Sequence, residues 1–482
     1  MTPWLLLSLF VSFAIGWLAV SLLWPDGGRT SKAQLPLKIF LGFGVGQGMT
    51  SCIAFLYLLI NGRVDASYCL YELVVLACLL IIFYLKPRKI KAPPPAPELS
   101  RQNPSSRSAL LAIAFYATAS TALATIALKL WYWPHGGWDA WMTWNVRARA
   151  IFRGGDAWRD SFSSLVTNPD YPLLLPLSVV RAWTYAGSET TFVPAALSWL
   201  FTAATVGLVT SAVAALCGRA QGYVAGLVLL GYSFFVSHAS SQLAEVPLMF
   251  FYAAALVLIA FHNEQPEGEG RGMLAVAGLV VGFAAWTKNE GLLFLFAWGI
   301  AHFAVVTHAR GFRVYVKQAL SLAAGLLPVL AVVVYFKTQI APPTNLYISR
   351  MTVPQVSAQL MDVDRYVVIA REFARRFFLY EGLGISMPYM LLMLIVCFGI
   401  TRKRIVSVAH GALMLTLMIA GFVWIYLATK ADPAAVMRHS VDRVLVQMWP
   451  AFVFTFFLLA APVKLRVADQ PRDGRSAGNG AR

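Results

Sequence analysis

The sequence predicts an all-α protein, a polytopic membrane bundle of about thirteen spanning helices. Three observations carry that expectation. The chain of 482 residues is 59% hydrophobic and only 13% charged, too apolar for a soluble protein of this length. Apolar runs of roughly 17–25 residues, the length that crosses a bilayer core, recur along nearly all of it. Its positive excess, +17 at pH 7, gathers in short segments between those runs. There it sets orientation and faces anionic lipid, so membrane lipids and not nucleic acid are the expected partner.

The first span, about 4–23, has no basic leading segment and no small-residue cleavage site, and reads as a retained helix rather than a signal peptide. Spans at about 36–60 and 68–85 complete an N-terminal three-helix segment, residues 1–85. Residues 86–108, KPRKIKAPPPAPELSRQNPSSRS, are basic and rich in Pro and Ser, and read as a flexible cytoplasmic linker. A core segment, 109–337, holds spans at about 109–131, 191–216, 222–238, 244–262, 273–287, 290–308 and 318–337. Residues 338–463 comprise a long loop, 338–384, and spans at 385–400, 407–428 and 442–463; a cytoplasmic tail, 464–482, follows. Cys52, Cys69, Cys78, Cys217 and Cys397 lie in or beside apolar runs without metal-type spacing. They read as packing residues with no disulfide framework.

TRKR at 401–404, HARGFRVYVK at 308–317 and the tail from Lys464 are basic and belong on one, cytoplasmic, side. The span count permits this if YPLLLPLSVVRAWTYAG, residues 171–187, does not cross. It carries two prolines and Arg181, which fits an interfacial or re-entrant helix. The regions 132–190, 238–244, Thr287–Glu290, 338–384 and 429–441 then share the outer face. The stripe Tyr366, Ile369, Phe373 and Phe377 in the long loop, flanked by Arg365, Arg371, Arg375 and Arg376, predicts a further interfacial amphipathic helix there.

Span interiors look almost free of ionisable residues, which argues against ion-coupled transport. The unusual charges sit at the outer ends of helices. Asp139 follows the fourth span, Glu245 opens the seventh, Lys288 and Glu290 lie between the eighth and ninth, and Arg438, His439, Asp442 and Arg443 open the thirteenth. Glu245 has a local alternative as a carboxylate favoured at a helix N-terminus beside Pro247. Arg438 and Arg443 have one as headgroup anchors, although cations on the outer side run against the usual bias. Arginine's planar fork suits lipid phosphate.

In HGGWDAWMTWNVRARAIF, residues 135–152, helical spacing puts Trp141, Trp144, Ala148, Ile151 and Phe152 on one face and Arg149 and Arg153 on the other. That predicts an amphipathic helix in the interface. The Gly136–Gly137 pair allows a sharp turn out of the fourth span. Asp139 then either caps this helix or serves as an exposed functional acid.

Together these features resemble the GT-C superfamily of membrane glycosyltransferases, in the branch of the protein O-mannosyltransferases and lipid A aminoarabinose transferases. Asp139 in GGWDAW matches the catalytic acid that follows a span in the first large outer loop. DYPLLLPL, with Tyr171, Pro172 and Leu173, is similar to a Pro-Pro-Leu-type segment at the end of that loop. Glu245 in AEVPL falls where the family has a second acid. Thr287, Lys288 and Gly291 in GLVVGFAAWTKNEG look like a Thr-Lys-Gly-type turn with Asn289 and Glu290 inserted. The resemblance covers about residues 109–337; three extra helices precede it, and no large soluble domain follows.

The resemblance implies a polyprenyl-phosphate-linked sugar donor, an acceptor that is a glycan, lipid or protein, and transfer on the periplasmic face of a bacterial inner membrane with inversion. It implies Asp139 as general base, and Lys288 with Arg438 or Arg443 against the leaving phosphate. Glu245 would orient the acceptor, or tie down Lys288 or an arginine. Tyr171, His135 and Arg149 complete the candidate substrate-binding set. No cofactor is implied: no DxD pair accompanies Asp139, although metal-using members of the family leave a divalent ion open. A lipid-linked saccharide transporter or flippase, and an O-antigen polymerase or ligase, are the alternative readings.

Overall fold

The computed structural model describes residues 3–25, 34–86, 106–163, 167–342, 352–378 and 387–461. The predicted linker, the tail and parts of the long loop lie largely outside these residues. Among the described residues eighteen α-helices run in order: α1 Pro3–Leu23, α2 Leu35–Asn61, α3 Tyr68–Leu85, α4 Ser106–Tyr132, α5 Val146–Gly154, α6 Leu174–Ala186, α7 Phe192–Cys217, α8 Arg219–Leu230 and α9 Ser233–Ala239. There follow α10 Glu245–Asn263, α11 Arg271–Thr287, α12 Asn289–Arg310, α13 Phe312–Gln339, α14 Val353–Met361, α15 Val363–Phe378, α16 Met387–Phe398, α17 Ile405–Ala428 and α18 Pro433–Leu459. Ten are long and apolar enough to cross a membrane, or eleven if the bent pair α8–α9 is one span. The protein is therefore a multi-pass helical membrane protein, because such a helix satisfies all its backbone hydrogen bonds in lipid.

α10 is the centre of the bundle. It is apolar all round, as a fully enclosed helix must be, and every residue from Glu245 to His262 is buried. It packs against α2, α7, α11, α17 and α18. Its N-terminus therefore places Glu245 on the bundle axis. α3 and α4 bury little and present residues such as Leu70, Val74, Ile81, Leu110 and Ile113 to the surroundings, as lipid-facing helices do. α1 and α2 cross closely: a Cβ on Gly16 would stand 2.0 Å from the Gly42 carbonyl, and one on Gly46 2.0 Å from that of Ser12. Small residues are what permits such approach in a membrane.

Several expectations need correction. The run 222–238 is not one helix. α8 and α9 are bent by 72° at Gly231 and Tyr232, where Tyr232 is extended (φ −82°, ψ 101°). Of the two readings of 171–187, interfacial or re-entrant, the helix lying on the surface is the one that fails. α6, only 13 residues long, is buried at every position from Leu174 to Arg181 and inserts between α1, α2, α5 and α7. Arg181 is accommodated because the third span does carry an acid. Glu72 of α3 accepts from Arg181 Nε at 2.8 Å and Nη2 at 2.7 Å and from the Tyr185 hydroxyl at 2.8 Å, and Tyr68 also bonds it. Both members of this ion pair are fully buried.

The amphipathic helix after α4 also differs in phase. Residues Ala140–Asn145 form a π-helical turn before α5 begins. The wider turn shifts the helical register, so Trp144, Ala148 and Ile151 go inward while Trp141 is 49% exposed. The last span starts well before 442: Asp432 caps α18 by accepting from the amides of Ala434 and Ala435 at 3.2 and 3.1 Å. Most of 429–441 is therefore helix and not loop, and Arg443 sits about three turns inside it. The amphipathic helix of the long loop is α15, with Ile369 as its buried residue.

Candidate active site

The chain leaves α4 through a turn at Gly136, where φ is +73°. The Gly137 amide donates to the Ser241 carbonyl at 3.0 Å, and the Gln242 side chain bridges the Pro134 carbonyl and Asn145 Nδ2, both at 2.9 Å. These bonds press the turn against the start of α10. Asp139 follows at once and opens the π-helical turn, but its side chain makes no capping hydrogen bond. Its Oδ2 instead accepts from Arg443 Nη1 of α18 at 2.5 Å. The local capping role fails, and a long-range ion pair takes its place.

Arg443 joins two acids. While Nη1 holds Asp139, Nε and Nη2 hold Glu245 Oε1 at 2.7 and 2.5 Å. Lys288 Nζ reaches the same Oε1 at 2.9 Å and Glu290 Oε1 at 2.6 Å. Lys288 is the extended residue between α11 and α12 (φ −161°, ψ 162°), so it projects sideways from the helix junction. Gly291 lets that junction close, since a Cβ there would stand 1.8 Å from the Ala284 carbonyl. Burial alone would lower the Lys288 pKa, but Glu245 and then Glu290 outweigh it and raise it, so the ammonium stays charged.

Exposure separates the members of this cluster. The side chains of Asp139 and Arg443 are 35% and 26% exposed, whereas those of Lys288 and Glu245 are 5% and 0% exposed. Glu290 is intermediate at 20%. Three carboxylates thus surround two cations, with Asp139 the most exposed acid and Arg443 the more exposed cation. Glu245 serves as the buried counter-ion that ties down Lys288 and Arg443, the second of its two expected roles.

An aromatic wall stands beside the cluster. Tyr171 stacks on Trp144 (centroids 5.4 Å, 17°), and Lys288 Nζ lies 5.7 Å from the Tyr171 ring centre. The segment bearing Tyr171 is held from two sides. Arg147 donates to the carbonyls of Asn168 (2.7 Å), Thr167 and Tyr171 (both 3.2 Å). Lys337 at the end of α13 donates to the Asp170 carbonyl at 2.5 Å and to Asn289 Oδ1 at 2.6 Å, and Asn289 Nδ2 reaches Asp170 Oδ2 at 2.7 Å. Burial pulls Arg147 down to about 10, still charged at neutral pH. His238 is buried against Phe234, within electrostatic range of Glu245, Arg443, Lys288 and Asp139.

No protein-family model matches the chain, and no curated protein or solved structure matches it.

Of the expected site residues, Asp139, Glu245, Lys288, Arg443 and Tyr171 converge; Arg438, His135 and Arg149 do not. Arg438 is exposed, five residues before Arg443 and so turned about 140° around α18. His135 is exposed, and only its carbonyl is used, by Asn145 at 3.4 Å. Arg149 lies 3.7 Å from Glu189 and over Trp183. Two residues beyond Arg147, it points to the opposite side of α5. Arg147, Asp170, Asn289, Lys337 and His238 were not anticipated. The available signal was position: Asp170 directly precedes Tyr171, Asn289 follows Lys288, and Lys337 ends a predicted span. Among the described residues no group of three or more His, Cys, Asp or Glu could hold a metal ion.

Proposed function

We propose that the protein is a GT-C-like glycosyltransferase that moves a sugar from a polyprenyl-phosphate donor to an acceptor on the periplasmic face of a bacterial inner membrane. The observation that carries this reading is the Asp139–Arg443 pair, an accessible acid beside an accessible cation on a buried counter-ion. The basic segment 308–317 and TRKR at 401–404 belong to the opposite helix ends, which supports the orientation.

In this mechanism an acceptor hydroxyl loses its proton to Asp139. Its oxygen forms a bond to the anomeric carbon as the carbon–oxygen bond to phosphate breaks, and the electron pair leaves with the phosphate. Direct displacement inverts the anomeric centre. Arg443 meets the departing charge, as a fixed cation should. Lys288, with little exposure, acts beneath it by sharing Glu245. The test is to supply membranes containing the protein with a panel of polyprenyl-phosphate sugars and follow sugar loss by mass spectrometry. No loss with any donor, in a preparation shown to be folded, sinks the reading.

A lipid-linked saccharide flippase is the second reading. It draws on polar groups deep in the bundle: His302 of α12 and His410 of α17 are buried, their ring centres 5.4 Å apart. An O-antigen polymerase or ligase draws on the arginines of α15. Movement of intact donor across vesicles without sugar transfer would favour the flippase; chain extension or en bloc transfer would favour the last.

A further inference from the structure

We propose that a phosphate group displaces Asp139 from Arg443, so that binding of the donor is what frees the carboxylate. This rests on the transferase reading for the use of the freed acid, but the exchange itself concerns only anion binding.

The argument starts from the two edges of one guanidinium. The Nε–Nη2 edge faces Glu245, which is fully buried and shared with Lys288. Breaking that contact would strand charges away from water, so it is permanent. The Nη1 edge faces Asp139 where both side chains keep about a quarter to a third of their exposure. Water screens that contact, and exposed ion pairs contribute little. One arginine thus has a fixed partner and an exchangeable one, and the fixed partner holds the exchangeable edge in place.

A phosphate oxygen suits that edge. Charge-assisted bonds from guanidinium to phosphate are short and directional, and the Glu245 clamp has already restricted the Arg443 rotamer. Trp138 and Trp141, which flank Asp139 in the sequence, have ring centres 5.7 Å apart and are 72% and 49% exposed, so they offer apolar surface for the rest of the ligand. While Arg443 holds Oδ2, that oxygen is engaged; when phosphate takes Nη1, both oxygens of Asp139 are open to an acceptor O–H. The whole carboxylate is then open only with the leaving group in position, which limits idle hydrolysis.

The test uses the full chain in detergent, with calorimetric titration of farnesyl phosphate and, separately, of inorganic phosphate. Asp139→Asn and Asp139→Ala remove the competing partner and should bind farnesyl phosphate about two- to fivefold more tightly than wild type. Arg443→Lys should weaken it. Unchanged or weaker binding in both Asp139 variants, with monodisperse protein, overturns the exchange. Tightening for inorganic phosphate alone also overturns it as a donor-linked step. Because no transfer is measured, tighter binding without sugar transfer would retain the exchange and remove the transferase reading. Sugar transfer with unaltered Asp139-variant binding would do the reverse.

Discussion

Arg443 and Asp139 lie 304 positions apart in the chain, and their side chains meet at 2.5 Å. The contact ties the start of the π-helical turn that follows α4 to α18. It leaves one accessible carboxylate next to a cation whose other edge is fixed by Glu245.

On the proposed transferase reading, Asp139→Asn should abolish sugar transfer while leaving the folded protein intact. The side chain is partly exposed and the swap preserves volume, so stability should change little. A lost general base typically costs on the order of 10²–10⁴-fold in rate. The check is mass-spectrometric turnover alongside the melting temperature in detergent; a fully active variant removes Asp139 from the chemistry.

Arg443 and Arg438 should behave oppositely. Arg443→Ala leaves Glu245 with Lys288 as its one remaining cation and unpairs Asp139, so both transfer and stability should fall, the latter by roughly 1–3 kcal/mol. Arg438→Ala touches neither and should stay within about 0.5 kcal/mol of wild type. Equal effects from the two would show that the helix phase described for α18 is wrong.

Lys288 predicts a pH dependence. Its folded pKa is raised above the ordinary value of 10.5. The stabilisation it provides is therefore fully present below that value and is lost as pH rises through the higher folded one. The difference in melting temperature between wild type and Lys288→Met should be constant from about pH 7 to 10 and shrink above that. A difference that already shrinks below pH 9 would contradict the ion pairs with Glu245 and Glu290. Lys288→Ala should also raise the KM for donor more than that for acceptor.

Glu72 and Arg181 lock α3 to α6 and should show strong coupling. Either Glu72→Leu or Arg181→Met alone leaves an unpaired buried charge and should cost about 3–5 kcal/mol. The double variant removes both charges and should recover most of that loss. Thermal unfolding of the four proteins tests it, and simple additivity would refute the buried pair.

Much of the site was legible in the sequence because ionisable residues are conspicuous among apolar spans. Asp139, Glu245, Lys288 and Arg443 stood out at span ends for that reason. Arg147, Asp170, Asn289 and Lys337 did not, since polar residues at loop edges are ordinarily solvated and only their mutual bonds distinguish them. Arg438 and Arg443 were equivalent in one dimension. α18 starts at Pro433, nine residues earlier than expected, so both lie on one helix, and its packing on α10 turns Arg443 inward. Arg181 was visible, but its partner Glu72 is a single acid within an apolar run.

The sequence by itself determined the helical membrane class. Apolar runs of spanning length have one common solution in lipid, because only a helix satisfies their backbone within the segment. It also placed the charges near helix ends, where their desolvation is least costly. Only the tertiary structure decided which charges meet. The pairings made through Glu245 and Asp139 span 43 to 304 residues and depend on how α10, α11 and α18 pack, on the π-helical turn after Asp139 and on the break at Lys288. Burial then separated the roles. Enclosure of α10 makes Glu245 a counter-ion out of reach of water, while the turn at Gly136 keeps Asp139 at the surface, where a ligand can reach it.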